Sequence, residues 1–230
     1  FASATTVDIN ADNALTLTNV DMSGAGTAAT ISGDSLVTGS VDVLATGSIT
    51  VSGSAGYKDT GTFPGVTVTN SGSGAVTLGA TNTTAGLIVG ATYTGGTGVD
   101  TITFPATTKA STMGAGNDVA YFTVSALGTA GSVDLGDGTD TVGLTFANAV
   151  TASSTEAFEG VVTNFEALTL KTTAAGTVNV ANLKVIIHQK RCNQNNACTT
   201  NVIDSKIKNE LVSSIVKKAA VFEKQAKEKK

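Results

Sequence analysis

The chain has 230 residues, of which 5% are aromatic and 14% charged, with no tryptophan and a net charge of −4. Its core must be built from small and β-branched side chains, which suits stacked coils that bury themselves against one another. Residues 1–183 hold three basic and fourteen acidic side chains, net −11, and residues 184–230 hold eleven and four, net +7; an acidic body of this kind is a poor partner for nucleic acid.

Residues 1–94 form a Thr/Ser/Gly-rich β-region, a sandwich or a solenoid. Short alternating runs between Gly, Ser and Asn turns predict strands at Thr5–Ile9, Ala14–Val20, Thr27–Ser32, Ser35–Val37, Ser40–Leu44, Ser48–Ser52, Val66–Asn70, Ala75–Leu78 and Leu87–Val89. The alternation argues against disorder. Asp8, Asp12, Asp21, Asp34 and Asp42 read as solvated turn acids, and Asp59-Thr60-Gly61 and Ser71-Gly72-Ser73-Gly74 as turns. Further strands are expected at Thr101–Thr103, Val119–Val124, Val133–Leu135, Thr141–Phe146, Phe158–Val162, Ala167–Lys171 and Thr177–Val180, with a short turn or helix at 150–157.

Between Gly95 and Gly143 one pattern occurs three times, as GGTGVDTIT from Gly95, MGAGNDVAY from Met113 and LGDGTDTVG from Leu135. In each, glycines are followed after one intervening residue by an aspartate and then by β-prone residues. Glycine lets the backbone turn tightly and aims several carbonyl oxygens at one point. The aspartate adds a hard anionic oxygen. Calcium takes 6–8 oxygens, more than one loop offers, so loops must stack. Gly95 and Met113 lie two nonapeptides apart, and four more residues separate Met113 from Leu135. With two half-turns per coil, the three loops fall on one edge, and calcium is expected along that edge alone. The candidate ligands are Gly95, Thr97, Asp100, Gly114, Gly116, Asn117, Asp118, Gly136, Asp137, Gly138 and Asp140. Asp100 is expected to share an ion with the loop at Gly114–Asp118, and Asp118 with the loop at Gly136–Asp140. Asp137 is a candidate additional ligand. Ordinary β-turns are the competing reading of any single copy.

The first copy fits G-G-x-G-x-D-x-U-x, with U a large apolar residue, at every fixed position, and the block resembles the calcium-binding β-roll of RTX proteins. The stretch FEGVVTNFEALTL, Phe158–Leu170, resembles the NFE-x-L-x-L segment that follows such repeats in secreted surface-layer proteins of Gram-negative bacteria. The resemblance spans roughly residues 95–180. It implies an all-β solenoid or β-roll at 95–183, Ca2+ as the bound ion, one-step type I export, and a place at the extracellular cell surface. The implied role is a non-enzymatic lattice subunit that self-associates, with cell-surface polysaccharide as a candidate anchor. An adhesin on the same scaffold, or the accessory region of a larger secreted enzyme or toxin, is the alternative.

The tail, 184–230, departs from this pattern. It opens on basic residues, contains His188, Cys192 and Cys198, and predicts a basic amphipathic helix near 204–229 through Ile207, Leu211, Ile215, Ala219 and Phe222. A local disulfide and free thiols both remain open for the cysteines, whose spacing is wrong for structural zinc. The change of composition near Lys184 fits either a native tail or a fusion junction. No run of 18 apolar residues is present, and Phe1 reads as the start of a mature form or an excised fragment. The single histidine lies in the tail, so no histidine-based nucleophilic triad is expected in the body.

Overall fold

The computed structural model describes residues 4–59, 66–79, 90–171, 177–183, 187–192 and 198–203. Its body is two parallel eight-stranded sheets. The first contains strands Thr6–Ala11, Ala28–Gly33, Ser48–Val51, Thr67–Asn70, Thr92–Thr94, Ala110–Thr112, Ser132–Asp134 and Val162–Thr163. The second contains Leu15–Asp21, Val37–Asp42, Tyr57–Asp59, Val76–Leu78, Thr101–Phe104, Val119–Phe122, Thr141–Leu144 and Ala167–Leu170. Successive strands alternate between the sheets, so every coil gives one strand to each. This is a β-solenoid. The sandwich reading of residues 1–94 gives way to it, and strand pairing runs through residue 94 without a break, since Thr77 lies beside Thr101 and Thr94 beside Thr112.

Inward rows make the core. Ala29, Ile49, Val68 and Tyr93 stack in register on one side. Leu78, Ile102, Ala120 and Val142 stack on the other, all fully buried. Phe104 stacks on Phe122 at 5.6 Å between ring centroids, and Phe158 closes edge-on against Phe122 at 5.3 Å. The outward row of the first sheet places Thr30, Thr50, Thr69, Thr94 and Thr112 near one another, between Asp8 and Asp134. Threonine fits a pleated, half-exposed surface of this kind.

Several boundaries differ from the sequence reading. Ser35–Val37 and Ser40–Leu44 are one strand, Val37–Asp42, carried through Gly39 at φ +133°. Tyr57–Asp59, Thr92–Thr94 and Ala110–Thr112 are additional strands, too short to show an alternating run. Asp59 therefore ends a strand, buried, rather than opening a turn. The helix spans Phe146–Ala152 because Thr145 caps it, its side chain accepting from the Asn148 amide. The strand expected at Thr177–Val180 does not form: residues 177–179 are irregular, and Val180–Leu183 form a 3-10 turn. Ile187–Cys192 and Cys198–Ile203 pair antiparallel, a hairpin absent from the sequence reading. Leu87–Val89 and the helix at 204–229 lie outside the described residues. Among the described residues no helix is long and apolar enough to cross a membrane.

The turns between the sheets stack so closely that their glycines have carbonyl oxygens where a Cβ would sit. A Cβ on Gly72 would meet the Gly53 carbonyl, one on Gly96 that of Gly72, one on Gly114 that of Gly96, and one on Gly136 that of Gly114. Gly114 and Gly136 also adopt φ +91°. Gly136→Ala is expected to destabilise the protein by at least about 1–3 kcal/mol. Gly160→Ala, whose added methyl meets nothing closer than 3.5 Å, serves as the near-neutral control. Urea denaturation of both variants provides the comparison.

Candidate metal centre

The loop spacing places the three motifs as the sequence predicts. Thr101 lies beside Val119, and Val119 beside Thr141. The preceding residues, Asp100, Asp118 and Asp140, thus form one column on one edge, 18 and then 22 residues apart. Followed along the stack, this inward column reads Leu15, Val37, Tyr57, Val76 and then Asp100, Asp118, Asp140, Glu166. Its character changes from apolar to acidic at mid-stack.

The carboxylates form a ladder. Asp100 Oδ1 accepts from the Val76 amide at 2.8 Å. Asp118 Oδ1 accepts from the Asp100 amide at 2.7 Å, and Asp140 Oδ1 from the Asp118 amide at 2.7 Å. Glu166 Oε2 accepts from the Asp140 amide at 2.8 Å. Each acid thus reaches back to the coil before it. Asp100 Oδ1 faces the Val76 amide, and Asp118 Oδ1 spans the gap between the turns at 95–100 and 113–118.

Asp100, Asp118 and Asp140 are all fully buried. At Asp100 the second oxygen accepts from the Tyr93 hydroxyl at 2.6 Å. At Asp118 and Asp140 the second oxygen, Oδ2, is buried with no hydrogen-bond partner. A buried carboxylate oxygen without a partner is costly. Burial, followed by the neighbouring charges of Asp100 and Asp140, pushes the Asp118 carboxyl up to about 7. Burial also raises Asp140, with Glu166, Asp134 and Asp137 adding to it. Asp100 is raised by burial, against hydrogen bonds from Tyr93, Val76 and Asn70 that lower it.

The other predicted residues take different places. The space beside Gly116 is flanked by the Gly98 carbonyl and Asp118 Oδ1, and that beside Gly138 by the Gly116 carbonyl and Asp140 Oδ1. A Cβ on Gly95 would approach both the Met113 carbonyl and Asp100 Oδ2. Gly114 and Gly136 carry the stacked backbone, the Asp137 amide donating to the Gly114 carbonyl at 2.9 Å. Thr97, Asn117 and Asp137 are exposed. Asn117 Oδ1 accepts from the Thr139 amide at 2.9 Å, and the Thr97 amide donates to the Gly72 carbonyl at 3.0 Å. Of the acids read as solvated, Asp21 and Asp42 accept from serines two residues away, Ser23 and Ser40, whereas Asp34 accepts from Ser54 of the neighbouring coil.

Three residues that make or touch the column escape sequence reasoning. Glu166 sits at the aspartate position of a coil that lacks the glycine turn; its only signal is the NFE stretch. Asn70 and Tyr93 reach Asp100 from 30 and 7 residues away, and no motif marks them.

The donor set suits a hard cation. The chain's single histidine and both cysteines lie beyond residue 183, so oxygen is what the column offers. Among the described residues no three acidic, histidine or cysteine side chains gather at one point. An ion here would take one or two carboxylates and complete its shell from turn carbonyls, a set calcium accepts.

These shifts dictate a pH dependence. An unfolded aspartate loses its proton near 3.8, whereas Asp118 in the fold keeps it to about 7. Without metal, the stability contributed by Asp118 is fully present below about pH 4 and is lost as pH rises through 7. Chemical denaturation in chelator should show stability falling across that window, and Asp118→Asn should flatten the fall.

Comparison with protein-family models, with curated proteins and with solved structures finds no match, so the functional reading stands on this geometry and on the motif.

Proposed function

We propose that the chain is a calcium-dependent structural protein, an RTX-like β-roll that folds and assembles on extracellular calcium as a subunit of a secreted surface layer. The observation that carries the ion is the pair of buried, partnerless oxygens, Asp118 Oδ2 and Asp140 Oδ2, on carboxylates whose Oδ1 atoms lie toward the Gly98 and Gly116 carbonyls, in a column of four acids. Asp118 with the Gly98 carbonyl, and Asp140 with the Gly116 carbonyl, are the groups that would hold it. Calcium supplies positive charge where the fold confines negative charge, and its binding to the folded state alone stabilises that state by mass action. Where calcium is scarce, repulsion along the column opposes folding; outside the cell, millimolar calcium relieves it, and sites of about 10⁻⁴–10⁻³ M suffice.

The lattice role draws on the surface-layer resemblance of Phe158–Leu170 and on the outer face of the first sheet. That face repeats threonine hydroxyls from coil to coil and suits lateral packing of extended subunits. No catalytic assignment is made: the acids of the column are committed to backbone amides and face the interior.

Calcium at about 100 times its dissociation constant should stabilise the protein by about 2.7 kcal/mol per site, reversibly with chelator. Asp118→Asn combined with Asp140→Asn should remove that gain. Electron microscopy of the wild type after calcium addition should show ordered two-dimensional sheets. Unchanged melting on calcium addition would defeat the ion reading, and monomers with a glycan or receptor ligand would turn the role to an adhesin.

A further inference from the structure

Asp100 belongs to the copy that fits the nonapeptide at every fixed position, yet its carboxylate is the one already saturated by protein donors. Oδ2 accepts from Tyr93 Oη at 2.6 Å, and Oδ1 accepts from the Val76 amide at 2.8 Å and from Asn70 Nδ2 at 3.3 Å. Asn70 is itself fixed in the turn before. Its Oδ1 accepts from the Gly72 amide at 3.1 Å, and its Nδ2 donates to the Gly74 carbonyl at 2.8 Å. The Asn70 amide therefore bridges a turn carbonyl to the next coil's carboxylate, the same pairing of groups that a cation would bridge.

Register shows why this happens once. The position of Asn70 is taken by Gly95 in the next coil and by Met113 in the one after. The position of Tyr93 is taken by Ser111 and then Val133. Neither Gly95 nor Met113 carries a side-chain amide, and the Val133 side chain has no donor. Ser111 is short, and its hydroxyl accepts from the Tyr93 amide at 3.0 Å. Where the two donors disappear, the partnerless oxygens of Asp118 and Asp140 begin.

We propose that the Asp100 rung is a metal-free lock, in which Tyr93 and Asn70 do the work of an ion, so that the coils before residue 100 fold without calcium and template the calcium-dependent coils after it. The column then binds two ions, at Asp118 and Asp140, rather than three. This rests on the calcium reading of those two residues. The lock gives the chain an ordered end on which the first calcium gap is half built before the ion arrives. Folding then propagates along the stack by adding coils to an existing edge, as nearest-neighbour coupling in repeat proteins allows.

Hydrogen exchange on the full chain, in chelator and in calcium at about 100 times the dissociation constant, tests this directly. Amides of 67–70 and 76–78 should be protected equally in both, whereas those of 119–122 and 141–144 should gain about a hundredfold protection with calcium. Direct calcium counting on the wild type should give two ions. Tyr93→Phe frees Asp100 Oδ2, and should raise the count to three or make protection at 101–104 calcium-dependent. Three ions in the wild type, with 67–78 unprotected in chelator, would overturn the lock while leaving the calcium reading intact. Equal protection of every coil in chelator, with no calcium bound, would overturn both.

Discussion

A column of carboxylates, each accepting from the backbone amide of the column residue one coil earlier, is the constraint around which the second half of this molecule is arranged. Each hydrogen bond ties neighbouring coils together at 2.7–2.8 Å. Each also confines negative charge beside like charge in an interior poor in water. The fold cannot keep the ladder and leave the charge uncompensated without a cost in stability. Protonation and cation binding are the two ways to lift that cost, and they compete for the same oxygens. The same column is apolar from Leu15 to Val76, where the amides of Leu15, Val37 and Tyr57 donate to backbone carbonyls of the next coil instead of to a carboxylate. One fold thus contains two ways of joining a coil to the next, and Asp100, with its tyrosine and asparagine donors, stands at the change between them.

The glycines serve this arrangement by position. Two of them in each of the turns at 72–74, 96–98, 114–116 and 136–138 face carbonyls of the preceding turn at distances that no Cβ permits. Close approach of turn backbones brings carbonyl oxygens near the carboxylates. The turns at 53–57 and 72–76 share this stacking but have Tyr57 and Val76 at the acid position. Glycine turns on this edge therefore begin before the acids do, and the acid is what distinguishes the candidate ion sites.

The spacing of the motifs, the single edge they occupy and the identity of the central aspartates were legible in the sequence, because a coil of fixed strand length converts residue counts directly into register. The earlier turns of the same edge were not recognised as equivalent, since without aspartate Gly72-Ser73-Gly74 looks like any loop. Three-residue strands such as Tyr57–Asp59 and Ala110–Thr112 show too few alternations to stand out, and their place in the sheets comes from neighbouring coils. The direction of each carboxylate was also hidden, because the same spacing permits sharing with either adjacent coil. Asn70 and Tyr93 act across coil boundaries, and only three-dimensional register brings them to Asp100.

On the function proposed above, the partnerless oxygens of Asp118 and Asp140 are cation ligands. Anomalous diffraction from crystals grown in calcium, with a lanthanide substituted for confirmation, locates such an ion without reference to stability or assembly. The account predicts peaks against Asp118 Oδ2 and Asp140 Oδ2 with carbonyl oxygens of the adjoining turns around them. An intact ladder with no anomalous density at either oxygen, in crystals replete with calcium, would contradict it.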